Sequence, residues 1–141
     1  MAAYVKYQLG IEKMMEGGNA GSDTWQLILS NTAPNVATNT TAASCTELST
    51  VGGYTAGGVN CTITSAVSTA GVYKLILAAP ASPTWTASGA GFTFQYVILY
   101  NLTQTQAIGY WDYGTAVAMN GTNADTFTPT LDASGGVFTV S

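Results

Sequence analysis

The chain has no histidine and no arginine, and charged residues fill only 7% of its 141 positions. Folded domains usually carry about 25%. Lys6, Lys13 and Lys74 are the whole cationic complement, and against seven carboxylates they leave a formal net charge of −4. Phosphate backbones are bound through clustered Lys and Arg, so nucleic acid is not an expected partner. An anionic membrane surface is not expected for the same reason. Without histidine, a serine or cysteine nucleophile lacks its commonest general base. Zinc, which takes four His, Cys or carboxylate ligands, has no natural seat. The chain is therefore read as a non-enzyme, with no catalytic residue, no cofactor and no metal. No run approaches the roughly 18 apolar residues of a membrane span. The N-terminal residues mix charges into apolar positions and lack the continuous apolar core of a secretion signal. The expectation is a protein made in a cytoplasm, its mature start near Met1.

Cysteine is scarce too. Cys45 and Cys61 could close a short loop, and a disulfide there would add about 3 kcal/mol in an oxidising compartment. In a cytoplasm two lone thiols are more often small buried hydrophobes, and free thiols are the expectation.

What remains is a chain 47% hydrophobic and 11% aromatic with 16 glycines. Threonine, serine and asparagine must wet its surface, and threonine suits half-buried strands. Length predicts one domain, divided into an N-terminal helix or arm (residues 1–21) and a β-sandwich domain (22–141). Ala3 to Glu16 is the one plausible helix: Val5, Leu9 and Met15 share part of one face, and Gly17-Gly18 ends it. Gly10 in its middle costs about 1 kcal/mol relative to Ala.

From Thr24 onward the pattern is strand-like. Trp25, Leu27 and Leu29 alternate with polar or opposite-face neighbours up to the turn-forming Asn31 to Asn35. Residues 36–49 read as a surface loop, with a short strand near Cys45 to Leu48. Gly52 to Gly58 reads as a structured turn. It lacks the Lys-Ser/Thr pair and the strand-to-helix setting of a phosphate loop. Val59, Cys61 and Ile63 give the clearest period of two and point Cys61 inward. Further strands are expected at Val72 to Ala79, around Trp85, at Thr115 to Met119, at Phe127 to Leu131 and at Val137 to Val140. Eight to ten short strands at this spacing make an all-β sandwich or barrel.

The densest aromatic stretch is Gly91 to Gly114. Phe94, Tyr96, Ile98 and Tyr100 are placed on one face of a strand and Val97 and Leu99 on the other, so both faces are covered. A loop at Leu102 to Gln106 leads into a second strand carrying Tyr110 and Trp111, which makes this the core hairpin. Asp112, an acid among rings, resembles the carboxylate of a carbohydrate-active site. The favoured reading is structural: it fixes the turn that ends the hairpin.

The segments SDTWQLILSNTAPNVATN (Ser22 to Asn39), GGYTAGGV, GVYKLILA, TWTASGAGFTFQYVILYN (Thr84 to Asn101), IGYWDYG and the ending LDASGGVFTVS together resemble a family of small β-rich structural proteins of tailed bacteriophages. The family pattern carries an arginine near Gln95 and a more acidic end to the central strand; both are neutral here. The resemblance implies a virion protein. The favoured role is a capsid decoration, or cement, protein that binds the outside of the major capsid protein shell as a homo-oligomer, a trimer being favoured. Tyr4, Lys6, Tyr7 and Lys13 are then the expected contacts with the shell or a neighbouring subunit. The alternative is a tail or receptor-binding fibre component whose aromatics near Trp111 touch host glycans.

Overall fold

The structure is a computed structural model that describes residues 2–141. Strand accounts for 44% of the chain and helix for 6%. The elements run β1 (Ala3–Lys6), α1 (Gln8–Glu16), β2 (Trp25–Ser30), β3 (Val59–Asn60), β4 (Thr62–Thr69), β5 (Val72–Ala78), β6 (Trp85–Thr86), β7 (Phe92–Asn101), β8 (Gln106–Met119), β9 (Thr126–Phe127) and β10 (Phe138–Val140). They form three antiparallel sheets, ordered β1-β8-β7-β2-β3, β10-β5-β4 and β6-β9. Of the two all-β architectures expected, the barrel is ruled out, because no sheet closes on itself among the described residues.

The five-stranded sheet is covered on both faces. On one, Trp25, Leu27, Leu29, Phe94, Val97, Leu99 and Trp111 pack with Leu75, Leu77 and Phe138 of the three-stranded sheet. On the other, Ile28, Tyr96, Ile98 and Tyr100 are sealed by Tyr7, by Cys45 and by Val36 and Ala42 of the long loop after β2. This two-sided burial is why β2 and β7 read as nearly unbroken apolar runs.

The alternation across β7 differs from the expected one at Phe94. Its ring shares a cluster with Val97 and Leu99, while Tyr96, Ile98 and Tyr100 face the opposite side. The pairing is irregular at the same place: Phe94 pairs with Val117 but Tyr96 with Asp112, and the break in alternation lies on β7 itself, across Gln95. An irregularity of this kind bends the ladder and sets the side chains on its two sides to opposite faces. The strand expected at Thr115 to Met119 is consequently the far end of β8.

The N-terminal segment also departs from expectation. Ala3–Lys6 is a strand antiparallel to β8, with Ala3 opposite Asp112 and Lys6 opposite Gly109, and the helix starts only at Gln8. Tyr and Val suit a pleated surface better than a helix, and β8 offers them an open ladder. The Tyr4 ring lies 4.6 Å from that of Trp111, and the Tyr7 N–H donates to the Ile108 carbonyl at 2.9 Å. Gly10, the weak point of an isolated helix, is what lets α1 lie against β8. A Cβ there would meet the Ala107 carbonyl oxygen at 2.6 Å and Ile108 Cα at 2.9 Å. At Cys61 the chain leaves one sheet for the other: β3 pairs with β2, β4 with β5. The Cys61 N–H itself donates to the Trp25 carbonyl at 2.7 Å. Past β8, the strand expected at Phe127 to Leu131 is reduced to the two residues of β9.

Candidate functional site

The four N-terminal residues named as contacts separate into two kinds. Lys6 and Lys13 are exposed. Tyr7 is fully buried, edge-on to Tyr110 at 5.7 Å, with its hydroxyl 3.8 Å from Cys45 Sγ. Burial pushes its phenol well above the ordinary range. Tyr7 thus belongs to the core and cannot touch a shell. The reason is chain direction: Tyr7 is where the chain turns from β1 into α1, and that corner sits on the sheet. Tyr4 is half-buried, and among the described residues its hydroxyl is a buried polar atom without a hydrogen-bond partner. It lies against Gly109, where any side chain would collide with it.

The hairpin residues Phe94, Tyr96, Ile98, Tyr100 and Trp111 are all buried. Tyr110 is half-buried and packs its ring near those of Tyr7 and Tyr96. Trp111 is 5% exposed, so its ring has no free face for a sugar.

Asp112 is exposed, and its Oδ1 accepts from the Gly114 N–H at 2.7 Å and from Gln95 Nε2 at 3.1 Å. Gly114 has φ of 78°, a left-handed conformation that glycine adopts freely. The carboxylate therefore spans the bulge between β7 and β8.

Other acids do comparable work. Asp132 accepts from the backbone N–H groups of Gly135 at 2.7 Å and Ser134 at 2.9 Å. Those amides, Gly135 first, hold its carboxyl below the usual range. Asp125 accepts from the Asn120 N–H at 2.9 Å. Glu47 takes the Tyr54 hydroxyl and the Gly57 N–H, each at 2.6 Å, and so pins the glycine-rich turn. Asp23 is buried and accepts from Asn101 Nδ2 at 2.8 Å and the Asn19 N–H at 3.0 Å. Five of the seven carboxylates thus close turns or join segments, while Glu12 and Glu16 stand exposed on α1.

Both cysteines are free. Cys45 packs on one face of the five-stranded sheet and Cys61 against the cluster on the other, so the sheet stands between them. Burial pushes the Cys61 thiol up to about 12 and raises that of Cys45. Both are poor nucleophiles in this state. Among the described residues no group of three His, Cys, Asp or Glu side chains could hold a metal ion.

The clefts are shallow and mostly uncharged. One, about 580 Å³, lies between Gln26, Gly57, Val59, Asn60 and Pro80. Another of about 550 Å³ runs over Gly89 to Thr93 and Ala118 to Asn120. A third, about 330 Å³, brings Glu12 and Lys13 of α1 against Thr40, Thr41 and Gln104 to Gln106. Apart from Glu12 and Lys13, backbone, hydroxyl, amide and apolar groups line these three surfaces, and what such lining offers is shape, apolar contact and neutral hydrogen bonds.

The signals for Asp112 and Asp132 were local, an acid two or three residues before a glycine. Those for Asp23 and Glu47 were not, because their partners Asn101 and Tyr54 are brought to them by the fold. No family model matches this chain, and neither curated proteins nor solved structures yield a match.

Proposed function

We propose that the chain is a structural protein of a tailed-phage virion. In this reading it is a decoration (cement) protein, seated as a homo-oligomer on the outer surface of the major capsid protein shell. The observation that supports a structural role is the use of the acids. Asp23, Glu47, Asp112, Asp125 and Asp132 are spent on turns and joints, and the clefts offer neutral groups and shape. A protein that must bind a shell at many equivalent places needs rigidity and a repeatable neutral surface more than a reactive centre. Lys6 and Lys13, exposed beside the sheet, are the proposed charged points of contact.

The host cytoplasm is the proposed place of synthesis and the capsid surface the place of action. With so few charges, the contact should depend weakly on salt. The test is immunolabelling of purified particles with antibody raised against the chain. Label over the head is the expected result. Label at the tail tip moves the chain to the fibre alternative, and unlabelled particles overturn both.

A further inference from the structure

The sheets of this molecule end in edges of very unequal character. β3, β6 and β9 are two residues long, β10 three, and β1 four with Lys6 at its end. Short strands and lysines are the usual devices that keep edges from pairing with other chains. β4 has neither. It is eight residues of TITSAVST, without charge or proline, and among the described residues it pairs only with β5. A bulge between Ile63 and Ser65 interrupts its first half, leaving Ser65–Thr69 as a regular run. At the middle of that run stands Val67, 56% exposed and among the most exposed large apolar side chains of the chain.

We propose that β4 is the contact between two copies of this chain, paired antiparallel about a two-fold axis at Val67. The pairing places Val67 opposite its own copy, Ser65 opposite Thr69 of the partner subunit, and Ala66 opposite Ser68 of the partner subunit. β-branched and hydroxyl pairs of this kind are favourable across strands, whereas like charges would not be. A protein of net charge −4 can offer the same strand to itself only where that strand is uncharged, and β4 is. The product is a continuous six-stranded sheet, β10-β5-β4 followed by its rotated copy. A closed two-fold contact of this type buries the same patch on both subunits, so the β4 edge is used up within the pair and does not propagate into a fibre. The inference rests on the homo-oligomer of the reading above and not on its place in a virion. A strand faces its own copy only across a two-fold axis, so this contact gives an even-numbered assembly where the resemblance favours a trimer.

The test is sedimentation of the full chain at tens of micromolar, alongside two variants. A dimer is expected. Val67→Lys sets like charges opposite each other and should raise the dissociation constant at least about tenfold while leaving the melting temperature of the dilute protein unchanged. Val67→Cys should form a disulfide-linked dimer through residue 67 under mild oxidant, as identified in tryptic peptides, and Ser65→Cys should not. A monomer with native circular dichroism, a trimer, or a dimer that ignores both Val67 variants overturns the proposal. So does a β4 whose amides become protected from exchange only when shells are added, which would assign the edge to the shell protein. Particle labelling fails or succeeds independently of all these outcomes, which keeps the virion reading separable.

Discussion

The β7–β8 and β4–β5 hairpins use the same antiparallel ladder for opposite purposes. In β7–β8 both faces are covered along β7, and from Tyr96 to Asn101 every residue is buried. The four-residue connection is held by the Asn101 side chain, whose Oδ1 accepts from the Gln104 N–H at 2.9 Å. In β4–β5 the strands join through Ala70 and Gly71, with φ of 51° and 80°, as the tightest hairpin turns require. Its first strand alternates half-buried and exposed positions, then runs fully exposed from Val67 to Thr69. The first hairpin is buried on both faces along β7, whereas the second buries Leu75 and Leu77 of β5 and leaves β4 as outward-facing backbone.

Core truncation makes the sharpest cut between them. Phe94→Ala should cost about 3–5 kcal/mol and Ile98→Ala about 2–5 kcal/mol in urea unfolding, while Ser68→Ala in β4 should stay within about 0.5 kcal/mol. A loss at Ser68 as large as that at Phe94 would end the distinction.

Alkaline titration comes next. Tyr4 and Tyr7, which pack against β8, and Tyr54 and Cys61 all have acid groups raised by burial. A raised group favours the folded state below its unfolded value and loses that contribution as pH climbs toward the folded one. For Cys61, raised from 9.0 to about 12, this amounts to roughly 4 kcal/mol at most. The urea midpoint should therefore be flat from about pH 5 to 8, where no histidine titrates, and fall above about pH 9. Cys61→Ala should remove part of that fall, and a midpoint unchanged between the neutral and alkaline range would contradict the buried placement of these groups.

Gly109→Ala tests the seam between β1 and β8. Its Cβ would land on the Tyr4 ring, and overpacking of this kind costs about 1–3 kcal/mol. Tyr4→Phe, which removes an unpartnered hydroxyl, should be neutral or stabilising by about 1 kcal/mol. Calorimetry on both variants separates a steric seam from a hydrogen-bonded one.

The smallest effect belongs to the β4–β5 turn. Ala70 holds a left-handed conformation that disfavours residues with a Cβ by about 1–2 kcal/mol. Ala70→Gly should raise stability by up to about 1 kcal/mol, seen as a small rise in melting temperature. A fall instead would mean that the turn contributes contacts beyond its backbone.

Sequence periodicity was most informative where pairing is local. Trp25, Leu27 and Leu29 announced β2, and the apolar Phe92 to Asn101 run announced a strand covered twice. The turn-closing Asp132 stands two residues before Ser134 and three before Gly135, a spacing that itself suggests the turn. Legibility ended where distant residues decide the outcome. Val59, Cys61 and Ile63 alternate as if on one strand, yet the chain changes sheets at Cys61, because β2 claims Val59 and β5 claims Ile63. The flip at Phe94 falls at an irregularity in the pairing with β8, which local alternation in β7 does not reveal. Ala3 to Lys6 looked helical because the ladder that makes them a strand lies on β8, far along the chain. Tyr7 and Asp23 were hidden for the same reason, one buried under the corner it forms and the other joined to Asn101.

The pairing of β1 with Gly109 to Asp112 also sets a timetable. Roughly a hundred positions separate the two partners, and closing so long a loop is slow compared with forming either hairpin. During synthesis β1 and the α1 helix behind it have no sheet to join until β8 is complete. The edge of β8 therefore waits on a partner from the far end of the chain, and the N-terminal segment is the latch that shuts it.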